Sequence, residues 1–201
     1  MSETDAPAGP LTDPAATDPL AALLAGVRAA SGKGERAIPP VERWNPPDCG
    51  DIGMEIRADG SWWHQGTRIG RQPLVDLFAT VLRKDEDGRT WLVTPGEKVI
   101  VHVEDAHFRA IRVDRHGEGP AQIVSVLTNV GDLVALGPHN PLRVTVNPVT
   151  REPRPYVLVR GRLEALMTRA AFYELVGWSE ERDGMVGIWS QGRFFAVDAP
   201  V

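Results

Sequence analysis

The chain has 201 residues, of which 42% are hydrophobic and 24% charged, so it is long enough for one large domain or two small ones. The formal net charge of -5 argues against a dedicated nucleic-acid-binding protein, because such proteins present a basic face. Cys49 is the one cysteine, which excludes an internal disulfide and fits a reducing compartment. No apolar run approaches the roughly 18 residues of a membrane span, and the acidic N-terminus lacks the positive charge of a secretory signal. We therefore predict a cytoplasmic protein without a membrane span.

The first 48 residues are predicted to contain a tail, a helix and a linker. Residues 1–17 are rich in Pro, Ala, Asp and Thr, so burial cannot offset their ordering entropy and we expect disorder. Residues 18–31 begin with Asp-Pro, a helix-starting pair, and Ser31-Gly32 ends the helix. The apolar stripe of this helix is Leu20, Leu23, Leu24 and Val27. Residues 32–48 contain repeated Gly and Pro, typical of a linker, so the helix either packs on the body or hangs free.

The rest of the chain alternates short strands with two helices. One helix is predicted from Arg71 to Lys84, and a second from Arg169 to Trp178 with Thr168 as its cap. The predicted strands are 52–57, 61–69, 89–94, 98–104, 108–113, 122–128, 133–136, 142–147, 156–166 and 187–197. Short turns separate most of them, which implies antiparallel pairing and an α+β fold.

The two helices have similar sequence surroundings, which indicates an internal duplication. When the sequence is compared with itself at an offset of 98 residues, two segments match in the order of their predicted elements. Each contains a strand, a short polar segment, a helix, an acidic turn and a strand that carries a tryptophan. The matched pairs are Arg71 with Arg169, Leu77 with Leu175, Asp85 with Asp183 and Trp91 with Trp189. We predict two related domains, 49–105 and 106–201, with the two tryptophans on matching strands. The alternative is that any α+β protein contains two such strand-helix-strand pieces.

Short motifs throughout the body carry a family resemblance. They include Cys49-Gly50, Asp59-Gly60-Ser61-Trp62, His64-Gln65-Gly66, Trp91-Leu92, Thr128-Asn129, Gly131-Asp132, Pro141-Leu142-Arg143-Val144, Tyr156-Val157 and Phe172-Tyr173-Glu174-Leu175-Val176. Together they resemble a bacterial family known as a domain of unknown function, DUF1285, over roughly residues 45–198. The chain departs from the family pattern at His107, where we expect Pro, and at Asn140, where we expect His.

The resemblance implies two related domains with a duplicated α+β core, of which the C-terminal one is superficially similar to pleckstrin-homology-like barrels. It also implies a ligand site at the domain interface, for a nucleotide-like molecule, and a role in signal transduction or stress response. No catalytic residues are established for the family, so none is carried over to this sequence.

Polar residues on three predicted strands are candidates for an anion site. Successive side chains of a strand point to opposite faces, so Lys98, Arg143 and Arg160 project away from the core. Arginine's planar fork suits phosphate or carboxylate, and we expect Tyr156 to stack on a base. The alternative is an ordinary solvated sheet face with cross-strand ion pairs.

The loop 128–132 and three acidic residues complete the candidate set. Asn129 and Asp132 lie in a glycine-containing turn that can present backbone N–H groups to an anion, although such a turn is commonly only a turn. We place both at the rim of the site. Glu104, Asp105 and Asp132 are the acids available to a hydrolase or transferase.

Other chemistries find little support in the sequence. His102, Glu104 and His107 lack the helical spacing of zinc enzymes, and Cys49 lies between acidic residues, which do not favour a reactive thiolate. The sequence has no serine nucleophile elbow and no phosphate-binding glycine loop, so we predict no cofactor and no metal.

The leading hypothesis is therefore a non-enzymatic ligand-binding or regulatory protein that holds a small anion between its two halves. One alternative is the hydrolase or transferase. The other is a protein-interaction module that binds a protein partner and no small ligand.

Overall fold

The computed structural model describes residues 19–30 and 38–198. The predicted tail at 1–17 and the helix end at Ser31-Gly32 lie outside these residues. Helix α1 (Pro19–Ala30) buries Leu23 and Val27 completely, so it packs on the body. No helix in the described ranges is long and apolar enough to cross a membrane.

The N-terminal half builds a six-stranded sheet of order β3-β2-β1-β6-β5-β4. Its strands are β1 (Asp48–Ile56), β2 (Trp62–His64), β3 (Thr67–Arg68), β4 (Leu82–Lys84), β5 (Thr90–Val93) and β6 (Lys98–Val103). Two antiparallel three-stranded meanders join where β1 runs parallel to β6, with Ile56 beside Val103. Helix α2 (Gln72–Thr80) connects the meanders and stacks Phe78 on Trp62, with ring centroids 6.1 Å apart.

The C-terminal half repeats this sheet, in the order β10-β11-β12-β7-β8-β9. Its strands are β7 (Phe108–His116), β8 (Ile123–Thr128), β9 (Leu133–Ala135), β10 (Leu142–Val146), β11 (Pro153–Arg160) and β12 (Leu163–Met167). Strand β12 runs parallel to β7. Helix α3 (Arg169–Val176) follows, and then a separate three-stranded sheet. That sheet consists of β13 (Glu180–Arg182), β14 (Met185–Ser190) and β15 (Arg193–Ala196).

The duplicated α+β fold is confirmed, but at a different correspondence from the 98-residue offset. Both six-stranded sheets join two meanders through one parallel pair of first and last strands. Helix α2 lies between its two meanders, whereas α3 follows both of its own. Trp91 therefore belongs to the first six-stranded sheet and Trp189 to the separate sheet, so their predicted equivalence is wrong. The offset detected helix-and-hairpin pieces that are alike locally, because long-range strand pairing leaves no such local pattern.

Several predicted elements were too long. The helix expected over 71–84 ends at Thr80, and residues 82–84 form β4 against β5; buried side chains continue through both elements, so apolar periodicity cannot separate them. The strand expected over 156–166 is a hairpin that turns at Gly161 (φ 52°). The strands expected over 61–69 and 187–197 are hairpins as well. Pairing is mostly antiparallel, with one parallel pair in each six-stranded sheet.

The two halves share one core and several polar contacts. A single cluster of buried side chains extends from Leu23 to Val197. The described part of the predicted linker also packs, since Arg83 donates hydrogen bonds to the carbonyl oxygens of Val41 and Trp44, at 2.8 and 2.7 Å. The halves are therefore held against each other, which fixes the groups at their junction.

An arginine-lined candidate site in the C-terminal half

A row of side chains crosses one face of the C-terminal sheet. Strand register places Arg143 beside Tyr156, Tyr156 beside Leu166, and Leu166 beside Arg109. Directly paired residues share a face of the sheet. Tyr156 and Leu166 are buried in a small cluster separate from the main core, so this row lies on the face away from it.

Asp105 anchors this row from the end of the N-terminal half. The Tyr156 hydroxyl donates to Asp105 Oδ1 at 2.8 Å, and Arg154 Nε donates to Tyr156 Oη at 2.9 Å. Arg154 also pairs directly with Asp105. Burial, followed by the hydrogen bond to Asp105, raises the pKa of Tyr156, so the hydroxyl stays protonated and keeps donating.

Arg143 covers the Tyr156 ring and is itself neutralised. Its guanidinium lies 4.1 Å from the ring centroid, and its Nε and Nη2 each donate to a carboxylate oxygen of Glu164 at 2.6 Å. This two-pronged contact lowers the pKa of Glu164. Tyr156 is only 7% exposed, so the expectation that it stacks on a base is wrong: Arg143 occupies that position.

Arg109 is the cation of this face without a partner. Its backbone is fixed by Asn129, whose side-chain Oδ1 accepts from Arg109 N–H at 2.9 Å. Its guanidinium is half-buried and makes no hydrogen bond or ion pair with any residue in 19–30 or 38–198. Burial is the main cause that lowers the pKa of Arg109, yet a guanidinium remains protonated in proteins. Its charge is therefore partly desolvated and not directly compensated.

The N-terminal half positions Arg109 through a glycine. Gly60 lies in the turn between β1 and β2 with φ 83°, and a Cβ on Gly60 would lie 2.5 Å from Cγ of Arg109. The same turn is held by Asp59, which accepts bonds from the backbone and hydroxyl of Ser61 at 2.9 and 2.6 Å. Because Gly60 has no side chain, the side chain of Arg109 can pack closely against this turn of the N-terminal half.

A cleft of about 210 Å³ opens beside Arg109. Its polar lining consists of Arg109, Asn147, Glu152, Arg154 and Arg169, and its apolar lining of Pro153, Pro155, Leu166, Met167, Phe172 and Tyr173. Arg169 pairs with Glu152 across it. The cleft thus offers three guanidinium groups, two of which already have carboxylate partners.

A second cleft, of about 470 Å³, is lined by Gly60 and mainly by other residues of the N-terminal half. It contains Asp59, Arg68, Gln72 and the predicted rim residue Asn129. Asp59 and Arg68 bring one charge of each sign, so this cleft carries no net positive charge to attract an anion.

The remaining predicted site residues have other partners. Lys98 lies 3.9 Å from Asp85 and 4.4 Å from the centre of the Trp91 ring. Glu104 accepts a hydrogen bond from Ala58 N–H at 2.8 Å.

Arg160 and Asp132 join the two halves. Arg160 pairs with Asp132 and donates to the carbonyl oxygen of Ala79, at the end of α2, at 2.6 Å. Lys98, Arg143 and Arg160 therefore belong to three separate sets of contacts, and the expected common wall does not form. The structure brings together Asp105, Arg143 and Tyr156 from the predicted set, with Asn129 bound to the backbone of Arg109.

Sequence reasoning missed Arg109, Arg154 and Arg169 as site residues. Arg109 lies within a predicted strand, and Arg154 has the two-residue spacing from Tyr156 that places both on one face. That alternation was the available signal for Arg154, but the flanking Pro153 and Pro155 hid the strand. Nothing local distinguishes Arg109 from a solvated arginine.

These features define a duplicated two-domain α+β protein. Every residue that lines its arginine-rich cleft belongs to the C-terminal half, so this cleft does not lie between the two halves. The sequence profiles described as the N-terminal domain and the C-terminal domain of DUF1285, a domain and protein of unknown function, match residues 39–106 and 107–197. The chain belongs to the DUF1285 family.

Two solved structures resemble this chain. A DUF1285 family protein from Silicibacter pomeroyi is 46% identical with a TM-score of 0.81, over 88% of this chain and 94% of that one. Another from Shewanella baltica is 27% identical with a TM-score of 0.48, over 63% of this chain and 91% of that one. No curated protein matches the sequence.

Proposed function

We propose that this protein binds a small anion, a carboxylate or a phosphate, in the cleft beside Arg109 and acts as a ligand-binding or regulatory protein. The unpaired, half-buried guanidinium of Arg109 is the observation that carries the proposal. A partly desolvated charge without a counter-ion costs free energy. An anion in the cleft offsets that cost, and arginine's planar fork binds carboxylate and phosphate with two parallel hydrogen bonds.

The neighbouring arginines contribute hydrogen-bond donors to the cleft but little net positive charge. Arg154 is neutralised by Asp105, and Arg169 by Glu152. Arg109 therefore supplies the net positive charge, while the others offer further N–H donors at the cleft. At about 210 Å³ the cleft is smaller than the roughly 300–1,000 Å³ of typical ligand sites, which favours a small acid over a complete nucleotide.

The enzymatic alternative has weaker support. Its three candidate acids, Glu104, Asp105 and Asp132, bind Ala58, Arg154 and Arg160 respectively and do not converge. A general acid needs a raised pKa, whereas the pKa of Glu164, the carboxyl that binds Arg143, is lowered. We propose, as the family resemblance implies, that such ligand binding serves signal transduction or stress response.

The test is a binding measurement on matched arginine variants. Inorganic phosphate and succinate are titrated calorimetrically into wild type, Arg109→Met and Arg112→Met. Arg112 lies on the same strand but is exposed and paired with Asp114, so its loss serves as the control. We expect Arg109→Met to weaken binding more than tenfold, since a charge-assisted contact contributes about 1.5–3 kcal/mol, and Arg112→Met to bind as wild type does.

Thermal unfolding provides a second readout. A ligand at about 100 times its dissociation constant adds roughly 2.7 kcal/mol, or about 5–11 °C in Tm for a chain of this length. If folded Arg109→Met binds unchanged, the site is elsewhere. If neither anion binds wild type, the proposal fails and the protein-interaction alternative becomes the better one.

A further inference from the structure

We infer that the ligand of this cleft is an amphipathic anion, one acidic group carried on a flat ring, and that Tyr173 contacts the ring. This inference rests on the proposed anion site and names its class of ligand. It depends on how the charged and apolar groups are distributed around the cleft.

The unpaired guanidinium and the aromatic side chains of the cleft come from different elements. Arg109 and Arg154 project from β7 and β11 of the sheet. Much of the apolar lining comes from α3 and the end of β12. On α3, Phe172 and Tyr173 follow Arg169 by three and four residues, and this spacing places all three side chains on one side of the helix. The cleft therefore sets the unpaired Arg109 of the sheet against Phe172 and Tyr173 of α3, and the guanidinium on that helix, Arg169, is already paired with Glu152.

The apolar lining residues of β12 and α3 are buried, except for Tyr173. Leu166, Met167 and Phe172 are 8%, 3% and 6% exposed, so they form a packed floor. Tyr173 is 63% exposed although it lines the same cleft. A large aromatic side chain left in water beside a packed apolar floor is suited to cover a ligand ring, because tyrosine offers a broad contact area for few rotatable bonds.

The geometry also explains why a simple anion does not use the whole cleft. Inorganic phosphate is satisfied by guanidinium groups alone and leaves the aromatic side chain of Tyr173 in contact with water. A benzoate-like or phenyl phosphate-like molecule places its acid at Arg109 and buries its ring between the floor and Tyr173. Ring burial adds to affinity in proportion to the apolar area removed from water.

The experiment compares ligands that differ only in the ring. Phosphate with phenyl phosphate, and acetate with benzoate, are titrated calorimetrically into wild type, Tyr173→Ala, Tyr173→Phe and Glu174→Ala. Glu174 is the exposed neighbour of Tyr173 on α3 and does not line the cleft, so it is the control. We expect wild type to bind each ring-bearing acid about tenfold or more tightly than its partner. Tyr173→Ala should remove most of that preference, since an aromatic contact accounts for roughly 2- to 12-fold, and Tyr173→Phe and Glu174→Ala should keep it.

The outcomes separate this inference from the anion site itself. If phosphate and phenyl phosphate bind equally, and both are lost in Arg109→Met, the anion site stands and the ring-binding inference is overturned. A ring preference that persists in Tyr173→Ala also overturns the role of Tyr173. If none of the four acids binds wild type, both proposals fall together.

Discussion

Gly60 lacks a side chain at the point where Arg109 crosses between the two halves. The Gly60→Ala change introduces a Cβ 2.5 Å from Cγ of Arg109 and forces alanine to φ 83°. Gly66→Ala is the matched control, because its φ is 74° and nothing lies within 4 Å of its added Cβ.

Both glycine variants should lose stability, but one alone should lose anion binding. We expect each to lower the free energy of unfolding by about 1–3 kcal/mol through backbone strain, as measured by urea unfolding. Only Gly60→Ala displaces Arg109, so we expect it to weaken phosphate binding about tenfold relative to Gly66→Ala. Equal affinity in the two variants would show that the close approach does not position Arg109.

At the scale of elements, one of the groups that hold the separate three-stranded sheet to the C-terminal sheet is a buried hydroxyl. Ser190, on β14, is completely buried. Its Oγ donates to the carbonyl oxygen of Leu136 at 2.7 Å and accepts from Val124 N–H at 3.0 Å. Two backbone groups from outside this small sheet therefore depend on a single side chain.

Removal of this hydroxyl should destabilise the fold measurably. Ser190→Ala leaves a buried N–H and a buried carbonyl without this partner, which we expect to cost about 2–3 kcal/mol. Ser179→Ala is the control, because Ser179 Oγ bonds only to the nearby Val176 carbonyl, and it should cost below about 1 kcal/mol. The measurement is urea unfolding monitored by tryptophan fluorescence. Equal midpoints for the two variants would contradict the proposed role of Ser190.

The boundary between α2 and β4 could not be predicted from the local sequence pattern. The apolar pattern over 71–84 correctly predicted a helix, but the structure splits this segment into α2 and β4. Residues 82–84 become a strand because they pair with β5, at Leu82 with Leu92. That pairing is a tertiary contact, so helical periodicity alone could not reveal it.

For the whole molecule, His107 is a titratable link between the halves. Its Nε2 lies 3.1 Å from Thr90 Oγ1 in the N-terminal half, and its Nδ1 accepts from Glu164 N–H at 3.2 Å in the C-terminal half. Nδ1 must be unprotonated to accept that bond, so the neutral ring is the form that fits. Burial is the main cause that lowers the pKa of His107 to about 4.

Stability should therefore fall on acidification. Below pH 6.5 the unfolded chain binds a proton at this imidazole, while the folded protein does not until about pH 4. The contribution of His107 is thus complete above pH 6.5 and decreases through the window down to about pH 4, by about 3 kcal/mol in all. Urea unfolding at several pH values should show a steeper loss for wild type than for His107→Asn. If the free energy of unfolding depended on pH in the same way in both proteins, the loss of stability could not be assigned to His107.

The sequence by itself determined the family, the α+β class and the polar faces of the strands. These properties depend on composition, alternation and short motifs, which are local. Only the tertiary structure decided which charges are paired. Asp105 meets Arg154 across 49 positions of sequence, and Arg109 reaches the row of Tyr156 through the parallel pairing of β7 with β12. Ion pairing depends on this long-range register, so the uncompensated charge of Arg109 became visible only in the folded chain.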